Sequence, residues 1–69
     1  MQQYPESDPR HHTANIKLML DELINHAQED VPKVQDPRAK ALFETTAEVL
    51  IGLRTAYDHF EQAREPAWR

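Results

Sequence analysis

The sequence has no cysteine and only one glycine among its 69 residues, which excludes several kinds of site and disfavours one class of fold. Without cysteine there are no disulfides, thiolate zinc sites, iron–sulfur clusters or thiol nucleophiles. The scarcity of glycine argues against a β-sheet, because tight turns between strands favour Gly and Asn-Gly pairs. A chain this short forms one domain at most, and such domains usually need a disulfide, a metal ion or a partner subunit for stability. We therefore expect a partner subunit, with a His or carboxylate metal site as the second option.

Long apolar runs and basic clusters are also missing. The longest apolar run, Val49 to Ile51 with Leu53 after Gly52, is far shorter than a membrane-spanning helix requires. The start of the chain mixes charges of both signs with prolines, which is not the pattern of a signal peptide. The net charge is −4, and no basic stripe with interleaved aromatic residues is present. The sequence therefore predicts a cytoplasmic protein with no nucleic-acid partner and no membrane partner.

Two short sequences have the pattern of a helix start. Alanine, leucine, glutamate and glutamine, which favour helices, are common in the chain. Asp-Pro-Arg occurs twice, beginning at Asp8 and at Asp36. In this pattern the Asp carboxylate accepts hydrogen bonds from free backbone N–H groups, and proline takes the first helical position, where no N–H is needed. Each sequence therefore predicts the beginning of a helix, with Thr13 as an alternative start for the first one.

Prolines also mark the predicted helix ends. We predict a first helix over about 9–30, a connection over 31–36 and a second helix over about 37–64. Pro32 disfavours helical geometry at the residue before it, and Pro66 closes the second helix in the same way.

The two ends of the chain lack helical periodicity. Residues 1–7 are predicted to form a disordered arm, and residues 66–69 a short tail. Trp68 in that tail is interpreted either as an anchor for another protein or as a side chain that covers one end of the helices.

The apolar residues of both predicted helices recur with helical spacing. In the first helix they form one stripe: Ile16, Met19, Leu20, Leu23, Ile24 and Ala27. In the second helix they form three heptad columns: Ala39, Thr46, Leu53 and Phe60; Leu42, Val49, Ala56 and Ala63; and Phe43, Leu50 and Tyr57. Together the columns cover a face of roughly 120–140°, which is wider than contact with one partner helix requires.

The width of this face predicts more than a hairpin. Two antiparallel helices alone leave part of it exposed, and a large exposed apolar surface recruits a partner or aggregates. The sequence therefore predicts an all-α protein, an antiparallel two-helix hairpin that forms a homodimeric four-helix bundle. The predicted interface residues are Leu20, Leu23, Leu42, Phe43, Val49, Leu50, Leu53, Tyr57 and Phe60.

Histidines give the first candidate metal site. His11 and His12 lie at the start of the first helix, and His59 lies near the end of the second. In an antiparallel hairpin these three residues share one end, where imidazoles can bind zinc, copper or nickel. The competing interpretation is that they are ordinary surface residues beside the arm.

A second candidate metal site lies in the middle of the helices. Glu22 and His26 are spaced i,i+4 on the first helix, and Glu48 falls near the same level of the second. Carboxylate and imidazole ligands at helical spacing are typical of di-iron helical bundles. Glu22 and Glu48 are predicted to point away from the apolar stripes.

The two-helix plan, with an Asp-Pro start to the second helix, resembles the encapsulated ferritin-like proteins, whose short hairpins assemble and bind iron between subunits. The resemblance implies a Glu-x-x-His step, which this sequence lacks. Ile51 stands three places after Glu48, and Ala56 stands three places before His59. A metal-binding bundle is therefore retained as an alternative function.

The favoured function is a small non-enzymatic interaction or regulatory protein that acts as a homo-oligomer without a cofactor. No hydroxyl side chain stands at a convincing spacing from a base. The segment from Asp21 to Asp30 carries four acidic residues and no Lys or Arg, which suits docking of a basic protein partner. A dimeric helical enzyme with a pocket between subunits is the second alternative.

Overall fold

The structure is a computed structural model that describes residues 4–62, and the regular structure of these residues is entirely helical. It consists of α1 (Pro9–Asp30), a 3₁₀ turn (Val31–Lys33) and α2 (Pro37–Glu61). The prediction of an all-α chain with two helices is confirmed. Ala63, residue 64, Trp68 and the tail over 66–69 lie outside the described residues. Neither described helix combines the length and apolar character needed to cross a membrane.

Both Asp-Pro-Arg sequences begin a helix, as predicted. Asp8 and Asp36 have extended backbones, and each carboxylate accepts a hydrogen bond from the backbone N–H two residues later, at 2.9 Å from Arg10 and 2.8 Å from Arg38. A proline follows each cap at the first helical position. Both helix starts therefore arise from short local sequence.

The described part of the N-terminal arm, residues 4–7, forms a turn. Residues 4–7 turn back over the start of α1, and the Asp8 N–H donates to the Pro5 carbonyl at 2.9 Å. The Arg10 guanidinium carbon lies 4.3 Å from the centre of the Tyr4 ring, a geometry in which cation and ring attract each other. Residues 1–3 of the predicted arm lie outside the described part of the chain.

The two helices pack against each other in opposite directions. Three side-chain pairs connect them: Thr13 with Glu61, Lys17 with Asp58, and Asp21 with Arg54. From one pair to the next, the residue number on α1 increases while that of its partner on α2 decreases, so the helices are antiparallel. Extended toward the turn, this register places Ile24 near the level of Leu50 and Ala27 near the level of Ala47.

The line along which the two helices meet is here called the seam. Its positions are buried or half-buried, and they are Thr13, Lys17, Leu20, Ile24 and Ala27 on α1, Val31 in the 3₁₀ turn, and Lys40, Phe43, Ala47, Leu50, Arg54, Tyr57 and Glu61 on α2. Successive positions are three or four residues apart, which is the spacing that keeps one side of a helix against a nearly parallel neighbour.

The buried core of residues 4–62 is small and lies toward the turn. It consists of Ile24, Ala27 and Ala47, and Ala47 is only 3% exposed. The sequence analysis placed Ile24 and Ala27 in the apolar stripe of α1 but omitted Ala47 from the columns of α2. Small side chains at Ala27 and Ala47 permit a close approach of the two helices at this level.

Candidate interaction surfaces

Seven of the nine large apolar residues that remain exposed in the described chain lie one position before the seam, and the other two, Leu18 and Ile51, lie one position after it. Met19 and Leu23 precede the seam residues Leu20 and Ile24, and Leu42 and Val49 precede Phe43 and Leu50. One residue turns an α-helix by about 100°. Because the helices are antiparallel, a step of one residue back along each chain turns toward the same side of the hairpin. The seven exposed residues before the seam therefore form one continuous surface.

We call this surface the apolar face. Its members are Ile16, Met19 and Leu23 on α1, and Leu42, Val49, Leu53 and Phe60 on α2, and all are at least 37% exposed. On α2 the half-buried residues Thr46 and Ala56 fall between them and complete a second series with the three-and-four spacing of the seam. Near the open end, Thr13, Ala56, Tyr57 and Phe60 line a hollow of about 300 Å³.

The structure divides the predicted interface residues into two groups. Leu20, Phe43, Leu50 and Tyr57 lie in the seam and are half-buried within the single chain. Leu23, Leu42, Val49, Leu53 and Phe60 lie on the apolar face. The sequence pattern merged the two groups because they are only one residue apart along each helix.

A network of charged residues closes the open end of the seam. The Lys17 ammonium group lies 2.7 Å from a carboxylate oxygen of Asp58 and 2.7 Å from one of Glu61. The Arg54 guanidinium group pairs with Asp21 across the hairpin and with Asp58 one turn along α2. The Thr13 hydroxyl donates a hydrogen bond of 2.6 Å to Glu61. Sequence reasoning missed this network, because its members are 33 to 48 residues apart in each cross-helix pair.

The network shifts the ionisation of its members. The hydrogen bond from Lys17 lowers the pKa of Asp58, and the charges of Lys17 and Arg54 lower it further. Partial burial acts to raise the pKa of Glu61, but hydrogen bonds from Lys17 and Thr13, with the charge of Lys17, outweigh burial and lower it overall. Hydrogen bonds to Asp58 and Glu61 raise the pKa of Lys17. Because a carboxylate with a lowered pKa is a poor general base, the Thr13–Glu61 contact is better explained by alignment of the helices than by catalysis.

The candidate histidine ligands at the open end make other contacts. His11 Nδ1 lies 3.1 Å from the carbonyl oxygen of Tyr4, and His12 Nε2 lies 2.8 Å from that of Glu6. The two imidazole rings meet edge to face with centroids 5.0 Å apart. The turn of the arm therefore engages one ring nitrogen of each imidazole.

The candidate ligands of the second metal site are not grouped together. His26 Nε2 lies 3.1 Å from a carboxylate oxygen of Asp30, on the side away from Glu22. Glu48 lies on the opposite helix one position after the seam residue Ala47. Within residues 4–62, no three or more His, Asp or Glu side chains are grouped so that they could hold a metal ion, and neither His59 nor Glu22 joins such a group.

The acidic segment of α1 is partly neutralised within the hairpin. Asp21 pairs with Arg54, and Asp30 lies 3.4 Å from the Lys33 ammonium group. The helical carboxylates without an ion pair in the described range are all glutamates: Glu22, Glu29, Glu44 and Glu48. Free negative charge is therefore divided between the outer side of α1 and one side of α2.

The two free glutamates of α2 border a groove on the side of the hairpin opposite the apolar face. We call it the carboxylate groove, and its lining residues are Gln28, Val31, Glu44, Ala47, Glu48 and Ile51. Glu44, Glu48 and Ile51 each follow a seam residue by one position, so they turn away from the apolar face. The groove has a volume of about 420 Å³ and is open to solvent.

Comparison with known proteins does not assign this chain to a family. No family model matches the sequence, no curated protein matches it, and no solved structure matches the fold. The functional argument therefore depends on the geometry of the two surfaces.

Proposed function

We propose that the chain is a self-associating helical hairpin that acts as a non-enzymatic interaction module. In this proposal the apolar face packs against the same face of a second copy, and the pair forms a four-helix bundle. The observation that carries the proposal is that seven of the nine large exposed apolar residues within residues 4–62 lie on one side of the hairpin, with seam-like spacing on α2.

The size of the apolar face supports this proposal. Six aliphatic side chains on the face, without counting Phe60, are 37% to 64% exposed. They leave on the order of 600 Å² of apolar surface, at the upper limit for a monomer and near the roughly 800 Å² that each partner contributes to a standard interface. The buried core of the described chain contains only Ile24, Ala27 and Ala47, so a second copy would supply burial that the single hairpin lacks.

A second copy is a suitable occupant because it carries a complementary surface. A two-fold axis in the plane of the face brings each exposed side chain against an equivalent apolar surface. On α1 no charged residue lies on this side between Ile16 and Leu23, while His12 lies before them and His26 and Asp30 after them. On α2 the flank of the face includes the small residues Thr45 and Gly52. An added Cβ at Gly52 would meet no atom within 4 Å, so this flank of α2 is open to a neighbouring helix.

Two adjacent residues of α1 allow a controlled test. Met19 belongs to the apolar face and Leu18 points to the other side, yet both are 64% exposed. Sedimentation equilibrium of the full chain should give twice the 8.1 kDa chain mass. Met19→Lys should weaken association at least about 100-fold, because a charge would enter the interface, whereas Leu18→Lys should leave the dissociation constant within about threefold.

The outcomes separate self-association from folding. Circular dichroism of both variants should show the helices, because each residue is largely exposed in the single chain. A monomeric wild-type chain at millimolar concentration would refute the proposal. Equal weakening of association by both substitutions would show that copies associate through another surface.

A further inference from the structure

The carboxylate groove has an apolar floor and an acidic border. Ala47, which is 3% exposed, lies at its base with Val31, and the aliphatic side chain of Ile51 is 44% exposed at its edge. Glu44 and Glu48 supply the charge. The groove therefore offers a short apolar contact beside two negative charges.

The two carboxylates are placed unfavourably for the hairpin alone. Glu44 and Glu48 are spaced i,i+4, so their like charges lie on the same side of α2 and repel each other. Neither forms an ion pair in the described chain, although Asp21, Asp58 and Glu61 all do. Both carboxylates are therefore available to cations of another molecule.

We propose that the carboxylate groove docks a basic amphipathic helix of another protein. The argument is complementarity of charge and spacing. Lysine or arginine residues one turn apart on a partner helix have the same spacing as Glu44 and Glu48, so each carboxylate can meet one cation. An aliphatic side chain between the two cations would contact Ile51 and the floor of the groove.

This location differs from the one suggested by the sequence. The acidic segment of α1 was the expected docking surface, but two of its carboxylates, Asp21 and Asp30, have partners within the hairpin. Glu22 and Glu29 remain free of ion pairs, but neither lines the groove. Charge and an apolar contact occur together at Glu44 and Glu48.

Docking at the groove is independent of self-association through the apolar face. The two surfaces lie on opposite sides of the hairpin, since one follows the seam by one residue and the other precedes it by one. In the proposed bundle the groove of each hairpin would face outward. Met19→Lys should therefore weaken self-association without affecting peptide binding, and the two proposals can fail separately.

The test uses a synthetic helical peptide of about 18 residues, long enough to form a helix on contact. Its apolar side is leucine and its polar side carries lysines spaced i,i+4, and a second peptide has glutamate in place of every lysine. Isothermal titration with the full chain should detect the lysine peptide and not the glutamate peptide. The affinity should fall as salt is raised, because the contacts include exposed charges.

A matched pair of double variants locates the site. Glu44→Gln with Glu48→Gln and Glu22→Gln with Glu29→Gln change the net charge equally, and all four residues are exposed. The first pair should weaken binding at least about tenfold and the second by less than about twofold. Nuclear magnetic resonance of the wild-type chain should show shifts at Gln28 and Ile51 on addition of the lysine peptide.

Three results would overturn the proposal. Equal weakening by both double variants would indicate attraction to net charge only. Absence of binding at millimolar peptide would show that the groove has no affinity for this chemistry. Wild-type assemblies larger than a dimer that are absent in Glu44→Gln/Glu48→Gln would identify another copy of the chain as the occupant. Circular dichroism of each variant checks that the helices are retained.

Discussion

The two halves of the hairpin use the same seam in different ways. Toward the turn the seam positions are apolar except for Lys40 at the start of α2, and this half contains the buried residues Ile24, Ala27 and Ala47. Toward the open end the seam passes through charged groups, and all the cross-helix ion pairs found within residues 4–62 occur there: Lys17 with Asp58 and Glu61, and Arg54 with Asp21. Tyr57 is the aromatic residue of the seam in this half.

This contrast separates stability from alignment. Apolar burial stabilises a hairpin but is not directional, so it tolerates a shift of one helix along the other. Ion pairs with hydrogen bonds need particular partners at particular distances. We infer that the turn half supplies most of the free energy of folding and that the open half fixes the register of α1 against α2.

The largest expected effect is in the turn half. Ile24→Ala removes a buried side chain and should lower the free energy of unfolding by about 2–4 kcal/mol. Leu18→Ala, on the same helix but exposed, should change it by less than about 0.5 kcal/mol. Urea titration followed by circular dichroism, at one fixed protein concentration, measures both values.

A small effect of Ile24→Ala, similar to that of Leu18→Ala, would contradict the assignment of stability to the turn half. Comparison at fixed concentration is needed because self-association adds to apparent stability.

A smaller effect is expected in the open half. Lys17→Met removes the cation shared by Asp58 and Glu61 and leaves two carboxylates that repel each other in a half-buried position. The cost should be about 1 kcal/mol, between the values for exposed and buried ion pairs. Lys33→Met, which removes a cation that is 67% exposed, should cost less than about 0.5 kcal/mol.

A further substitution sharpens the interpretation of Lys17→Met. Adding Asp58→Asn and Glu61→Gln to Lys17→Met removes the repulsion and should recover part of the lost stability in the same urea titration. No recovery would show that the aliphatic part of Lys17, rather than its charge, is what stabilises the open end.

Features set by neighbouring residues were predictable from the sequence. The capping carboxylates of Asp8 and Asp36 act on N–H groups two residues away, so a short motif is sufficient to identify the helix starts. Helical periodicity likewise indicated two helices. These features depend on local geometry and not on how the helices pack.

Features set by packing were not predictable in the same way. The seam of α2 and its apolar face differ by one residue along the helix, so hydrophobicity alone merged them into one broad surface. Ala47 is small and contributes little to a hydrophobic pattern, yet it is the most buried residue of the described chain. Lys17 and Arg54 look like surface residues in sequence, because their partners are on the other helix.

The histidine site illustrates the same limit. The topology predicted correctly that His11 and His12 lie at the open end, but not that the backbone of residues 4–7 would turn back to contact their ring nitrogens. Such contacts depend on the path of a segment without periodicity. Sequence patterns therefore identified which residues share an end of the hairpin, but not which atoms meet.

The smallest expected effect is a response of the open half to acid. The pKa values of Asp58 and Glu61 lie below their ordinary values of 3.8 and 4.5 in the folded chain. Their contribution to stability is therefore complete above the ordinary values, and it is lost as the pH falls through the lowered ones. Lys17 has a raised pKa, so its contribution persists throughout this acidic range.

Between pH 6 and pH 3, amide exchange near Thr13 and Asp58, corrected for its intrinsic pH dependence, should accelerate a few-fold relative to exchange near Ala27 and Ala47. In Lys17→Met the acceleration should be smaller, because the largest lowering contribution to both carboxyl pKa values is absent while those of Arg54 and Thr13 remain. A uniform acceleration along both helices would instead mean that the two halves open together, and the distinction between stability and alignment would then fail.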